Sequence, residues 1–156
     1  MVNINFYVCA LVIFAAAVCE TIYSVKTKAL RKFLFRENFP KELLSASLIA
    51  SESDIACEYP VKLHGRLDQL FRLLNGCVVL VDTKCRSENG VDEADIIQLS
   101  VYRFILRQLG YPVLGYAWVR TVSDPLGRRS VRYIKVSLLS DDDIIKLSLL
   151  EQRSYA

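Results

Sequence analysis

An α/β domain that follows a membrane-spanning N-terminal helix is the fold class this sequence predicts, on three observations. From Phe6 to Cys19 the run FYVCALVIFAAAVC carries no charge and no strong polar group. Further on, short apolar segments read as strands around the turn signals Asn75-Gly76 and Ser123-Asp124-Pro125-Leu126-Gly127. Among them lies one long helical stretch, Ala94 to Leu109, opened by the acids Asp92, Glu93 and Asp95 and closed by Gly110. A chain of 156 residues suffices for one domain with a real core. Its apolar fraction of 53% and mean hydropathy of +0.27 exceed what such a domain needs, and the excess sits at the N-terminus.

Ile4, Ile22 and Tyr23 extend the apolar run to about twenty residues, the length that crosses a bilayer. No Lys or Arg precedes it, whereas Lys26, Lys28, Arg31, Lys32 and Arg36 come after it. The positive-inside rule then places the N-terminus outside and the remainder in the cytoplasm, as a single-pass membrane protein. A cleaved signal peptide ending near Ala15-Ala16-Ala17 and a buried N-terminal helix are the competing readings; the missing basic n-region and the basic downstream flank favour the anchor. Residues 25–50 form a basic linker or helix suited to anionic headgroups, with a DNA-guiding arm as the alternative, and Pro40 breaks this segment from the next. The expected organisation is thus an anchor over 1–24, a juxtamembrane segment over 25–50 and a folded domain over 51–156.

Composition excludes several function classes. Five cysteines without a CxxC pair, and a single histidine, exclude a zinc site of ordinary spacing and a disulfide framework, and fit a reducing compartment. A net charge of +3 permits nucleic-acid binding without requiring it.

The chemistry gathers at Leu80-Val81-Asp82-Thr83-Lys84. Alternation along a strand puts Asp82 and Lys84 on one face. Upstream, Asp68 lies in the other strand of a hairpin, Gly65–Phe71 against Cys77–Asp82. A two-residue Asn75-Gly76 loop would pair Asp68 with Thr83 (68 + 83 = 151) and send Asp82 to the far face. A three-residue loop, Leu74-Asn75-Gly76 with Gly76 left-handed, sets Asp68 opposite Asp82 (68 + 82 = 150) and is the geometry expected. Two carboxylates and the Thr83 backbone carbonyl would then hold Mg²⁺ or Mn²⁺, polarise a phosphate and lower the pKa of a bound water, with Lys84 as base or electrostatic partner. On the helix, Gln98 and Tyr102 are spaced i, i+4 and share a face. The plainer readings are an exposed Asp82–Lys84 ion pair at a strand end, solvated Arg66, Arg86 and Arg103 in place of phosphate contacts, and Cys77 and Cys85 as packing residues.

Gly65-Arg66-Leu67-Asp68, Val81-Asp82-Thr83-Lys84 and Gln98-Leu99-Ser100-Val101-Tyr102 resemble, in order, the G-x-x-D, D-x-K and Q-x-x-x-Y motifs of the PD-(D/E)XK nuclease superfamily, in its RecB-like branch. That branch includes CRISPR-associated adaptation exonucleases. The resemblance spans roughly residues 50–150. It implies a restriction-endonuclease-like core with a central mixed sheet flanked by helices, metal-dependent DNA cleavage, and Gln98 and Tyr102 near the DNA backbone or supporting the lysine. A histidine upstream of the first Asp is a metal ligand in many members, which makes His64 a candidate. Several members hold an iron–sulfur cluster through one upstream and three downstream cysteines; here no cysteine follows Cys85, so no cluster is expected. The expectation is a membrane-anchored deoxyribonuclease with its catalytic domain in the cytoplasm. The alternative is a membrane-tethered nucleic-acid- or protein-binding module on the same fold, without turnover.

Overall fold

The computed structural model describes residues 37–86, 90–124 and 129–154. The apolar run and most of the basic segment, with the anchor and its topology, lie outside these residues. No helix among the described residues is long and apolar enough to cross a membrane.

Five strands form one sheet in sequence order: β1 (Ser47–Cys57), β2 (Leu63–Arg72), β3 (Val78–Cys85), β4 (Tyr116–Ser123) and β5 (Ser130–Ser137). The first three run antiparallel, β3 and β4 are parallel, and β4 and β5 are antiparallel, which makes the sheet mixed. A parallel neighbour needs a crossover of a dozen or more residues, and helix α1 (Glu93–Gln108) supplies it. Val78 to Val81 are buried on both faces of the sheet, as a central strand requires. Helix α2 (Asp141–Ser154) closes the fold, its first turn capped by Ser140 Oγ on the Asp143 N–H at 3.2 Å.

Each face of the sheet has its own core. Under α1, Leu67, Leu70, Val78, Leu80, Ala117, Val119 and Val136 meet Leu99, Tyr102 and Leu106. On the other face Leu43, Phe71, Val79 and Val81 pack with Phe39, Trp118 and Tyr133. A single 3-10 turn, Lys41–Leu43, lies over that second face, where the Glu42 carboxylate accepts from Tyr116 Oη (2.9 Å) and from Trp118 Nε1. Ile144 of α2 packs with Phe104, Ile105 and Val61.

Two strands differ from their sequence reading. The weak alternation at Tyr59–His64 predicts a strand there, whereas β1 occupies Ser47–Cys57 and β2 begins at Leu63. As an edge strand with its residues mostly exposed, SLIASESDIAC carries no apolar alternation to announce it. The apolar run Val113–Val119 predicts a strand, whereas β4 starts at Tyr116 and runs on to Ser123, because its buried positions continue as Thr121 and Ser123, which are polar.

The hairpin takes the expected three-residue loop. Gln69↔Val81, Leu70↔Leu80, Phe71↔Val79 and Arg72↔Val78 are opposed, each pair summing to 150. The Leu73 N–H donates to the Cys77 carbonyl at 2.8 Å, and Gly76 sits at φ +85°. A Cβ at residue 76 would meet no atom within 4 Å, so replacing this glycine tests the backbone alone. Gly76→Ala is expected to lower stability by about 1 kcal/mol through the left-handed conformation, read as a lower thermal midpoint with an unchanged far-ultraviolet spectrum.

Candidate active site

β2 and β3 part company where the candidate site lies. Their ladder ends at Gln69↔Val81, although β2 continues toward Leu63 and β3 to Cys85. Beyond that point the strand ladder of β3 continues with β4, as far as the Arg86 N–H on the Val122 carbonyl at 3.0 Å. The Thr83 N–H, which a continuing ladder would give to a backbone carbonyl, donates instead to Asp68 Oδ2 at 2.7 Å. N–H and C=O of one strand residue project to the same edge, so the Thr83 carbonyl opens into the same gap.

β2 is irregular at this spot. Leu67 and Leu70, three residues apart, both join the core under α1, which strict alternation forbids. On its other side, Ser51↔Gln69 and Ser53↔Leu67 are paired while Glu52, opposite Asp68, stands at φ +48°. The break in alternation falls on Asp68, with β1 contorted beside it, in the manner of a bulge that re-aims a side chain.

From β3, Asp82 and Lys84 face α1. Lys84 Nζ lies 3.0 Å from Asp82 Oδ2 and donates to Gln98 Oε1 at 2.9 Å. The other end of that amide, Gln98 Nε2, donates to Tyr102 Oη at 2.7 Å, so both ends are used and the Gln98 orientation is set. Tyr102 in turn rests on β2: a Cβ on residue 65 would overlap its Cε1, so a glycine there is what lets the ring approach the strand. Residues of the three sequence motifs thus touch one another in sequence from Gly65 to Tyr102, Gln98, Lys84 and Asp82.

Asp82 is only 3% exposed. Burial pushes its carboxyl above the ordinary value of 3.8, the Lys84 ammonium pulls it back, and the charges of Asp68 and Asp95 push it up again. Asp82 Oδ2 is buried, and the contact it has among the described residues is the Lys84 ammonium at 3.0 Å.

Asp68, Asp82, Thr83, Lys84, Gln98 and Tyr102 are brought together. His64 is not: it lies exposed on β2 opposite Ala56, and four residues of strand separate it from Asp68 by about 13 Å. Arg66 is a surface residue paired with Glu52 at 3.3 Å. Arg86, expected at phosphate, turns inward to Asp95 (2.7 Å) and Asp92 (2.9 Å). Arg103 is held by the Leu139 carbonyl and Asp141. Sequence reasoning passed over Gly65 as a packing site and treated Asp95 as a helix-start acid only; its spacing of three residues from Gln98, one helical turn, is the signal that could have found it. Among the described residues no group of three or more His, Cys, Asp or Glu side chains is arranged to hold a metal ion. The groups at the gap that could hold a cation are the Asp68 and Asp82 carboxylates and the Thr83 carbonyl, a small set that would suit an ion such as Mg²⁺ that keeps several of its waters.

No family model matches the chain, and no curated protein is similar to it. Among solved structures it is similar to one titled "Crystal structure of SSO0001", at 18% identity and a TM-score of 0.47, over 92% of this chain and 64% of that one. This chain therefore spans less than two thirds of that protein's length.

The raised Asp82 carboxyl fixes a sign. The folded state binds this proton more tightly than the unfolded one, so the associated stability is full below 3.8 and is lost as pH rises through the raised native value. At pH 7 the buried charge is a net cost. Asp82→Asn, which keeps the shape and removes the charge, is expected to raise the thermal midpoint at pH 7 in chelator-treated buffer, with the gain shrinking toward pH 4. A lower midpoint at pH 7 would mean that the Lys84 attraction outweighs burial.

Proposed function

We propose that the chain is a metal-dependent deoxyribonuclease of the PD-(D/E)XK type, RecB-like branch, on a restriction-endonuclease-like core. Its N-terminal segment anchors it in the membrane by a single span, with the catalytic domain in the cytoplasm. The observation that carries the reading is convergence. Three short motifs, none distinctive alone, supply Asp68, Asp82 with Lys84, and Gln98 with Tyr102 to one gap between β2 and β3. The mixed five-stranded sheet with helices is the kind of core the motif resemblance implies.

The residues present fit a divalent cation. Asp82 offers a buried anionic oxygen whose charge is met by Lys84 alone among the described residues, Asp68 is fixed at the gap by the Thr83 N–H and acts on Asp82 through its charge, and the Thr83 carbonyl opens to the same gap. Mg²⁺ or Mn²⁺ bound by these three would polarise the phosphate and supply a water of lowered pKa. Asp68 and Asp82 contribute negative charge that selects a cation here. Lys84, steered by Gln98, holds positive charge at the rim of the gap, where it orients the attacking water or meets the charge that develops on phosphate as the P–O ester bond breaks. Gln98 and Tyr102 support the lysine and need no contact with DNA to do so.

The purified full chain is expected to cleave DNA with Mg²⁺ or Mn²⁺ and not with chelator. Lys84→Ala should lower the rate at least about 100-fold, the scale of losing one charge-stabilising group, with the fold retained by circular dichroism at a lowered thermal midpoint, because the buried Asp82 loses its partner. Equal cleavage by wild type and Lys84→Ala would overturn the reading. Salt-sensitive DNA binding without turnover, indifferent to metal and to Asp82→Asn, would instead identify the non-catalytic binding module.

A further inference from the structure

We infer that Asp95 is a positioning residue of the same centre, a buried carboxylate that sets Lys84 and Arg86 in place and does not itself hold a cation. Its kinetic consequence rests on the nuclease reading; its effect on Lys84 does not. Asp95 is the third residue of α1, and its Oδ2 accepts the Asp92 N–H at 3.0 Å, one half of a reciprocal capping box. Capping explains one oxygen and does not require burial, yet Asp95 is 3% exposed.

The other oxygen turns toward β3. Oδ1 accepts from Arg86 Nη2 at 2.7 Å and lies 3.9 Å from Lys84 Nζ. With its second arm Arg86 reaches Asp92 Oδ2 at 2.9 Å and donates to the Gly90 carbonyl at 3.3 Å. One guanidinium thereby ties the end of β3 to the start of α1. It cannot swing out to a phosphate without leaving the Asp95 charge buried and short of its closest partner. Lys84 therefore sits among three acceptors, the oxygens of Asp82, Gln98 and Asp95, on a side chain 23% exposed. Both Asp95 oxygens accept hydrogen bonds from other groups of the protein, Arg86 and the Asp92 N–H, whereas Asp82 Oδ2 meets the Lys84 ammonium. The same carboxylate that starts the helix thus shares Arg86 and Lys84 between two elements, and keeps the lysine from following Asp82 alone.

This arrangement makes two variants act in opposite directions. Removing the Asp95 charge frees Lys84. Removing Arg86 leaves the Asp95 charge unshared, so Lys84 is drawn closer. General loosening of the site would free the lysine in both. The test uses the full chain without metal or DNA, with an amine-acylating ester as probe and mass spectrometry to follow labelling of Lys84 at fixed pH. Asp95→Asn is expected to label about threefold to tenfold faster than wild type, the size of a contact-pair coupling, and Arg86→Gln more slowly than wild type. In calorimetry with Mn²⁺, Asp95→Asn should keep a saturable site, weakened by no more than about 10-fold to 100-fold as for a group outside the ligand set, while Asp82→Asn should not bind. In DNA cleavage, Asp95→Asn should lower kcat about tenfold to a hundredfold, the cost of a misplaced catalytic group, with KM little changed.

Unchanged Lys84 labelling in Asp95→Asn, faster labelling in Arg86→Gln, or loss of Mn²⁺ binding in Asp95→Asn would each overturn the assignment. Should Asp95→Asn fail to fold by circular dichroism, the direction of the Arg86→Gln change decides. Should wild type cleave no DNA, the nuclease reading falls and the labelling rates still decide the role of Asp95.

Discussion

One hydrogen bond organises this molecule's chemistry: the Thr83 N–H on the Asp68 carboxylate, at the point where β2 and β3 separate. A backbone N–H that loses its strand partner away from water must find another acceptor, or folding loses the free energy of desolvating it. Supplying a side-chain carboxylate answers that need and fixes a negative charge in the gap. The arrangement has a consequence for Asp82, already buried, which now sits near a second anion and a third at Asp95. Only one ammonium, that of Lys84, pairs with it. Such a cluster is costly for a fold to maintain without a cation, and charge of this kind concentrated in a gap is what a functional centre looks like.

The lysine is held from the helix side. Gly65 makes room for the Tyr102 ring, Tyr102 accepts from Gln98, and Gln98 accepts from Lys84. The two ends of the Gln98 amide face different partners, so one side chain ties Lys84 to Tyr102. The ends of the network lie on different elements. A strand glycine and a strand lysine are made to depend on one helix face, and the relative placement of β2, β3 and α1 becomes part of the site's precision.

Much of this was legible in the sequence because it rests on local rules. Loop length and the left-handed Gly76 follow from turn chemistry, and the register follows from the loop. That Gln98 and Tyr102 share a face follows from helical periodicity. What escaped depends on tertiary context. β1 is a polar edge strand whose pairing is set by β2 rather than by its own pattern. The break in alternation that lets Leu67 and Leu70 share a core, with Asp68 between them, leaves no mark on composition. Arg86 reads as a solvent-facing cation until Asp95 is known to be buried beside it, and His64 reads as a neighbour of Asp68 until the strand is seen to carry it away. The apolar run with its basic flank, read in the sequence as a membrane anchor, falls outside the described residues.

Calorimetric titration of Mn²⁺ into wild type, Asp68→Asn and Asp82→Asn tests the central claim most directly. Asparagine at 68 keeps an acceptor for the Thr83 N–H and removes only the charge, so the strand gap survives while the cation's partner is lost. One saturable site in wild type, absent from both variants while each stays folded, is the expected result. Equal Mn²⁺ binding by all three proteins would contradict the account.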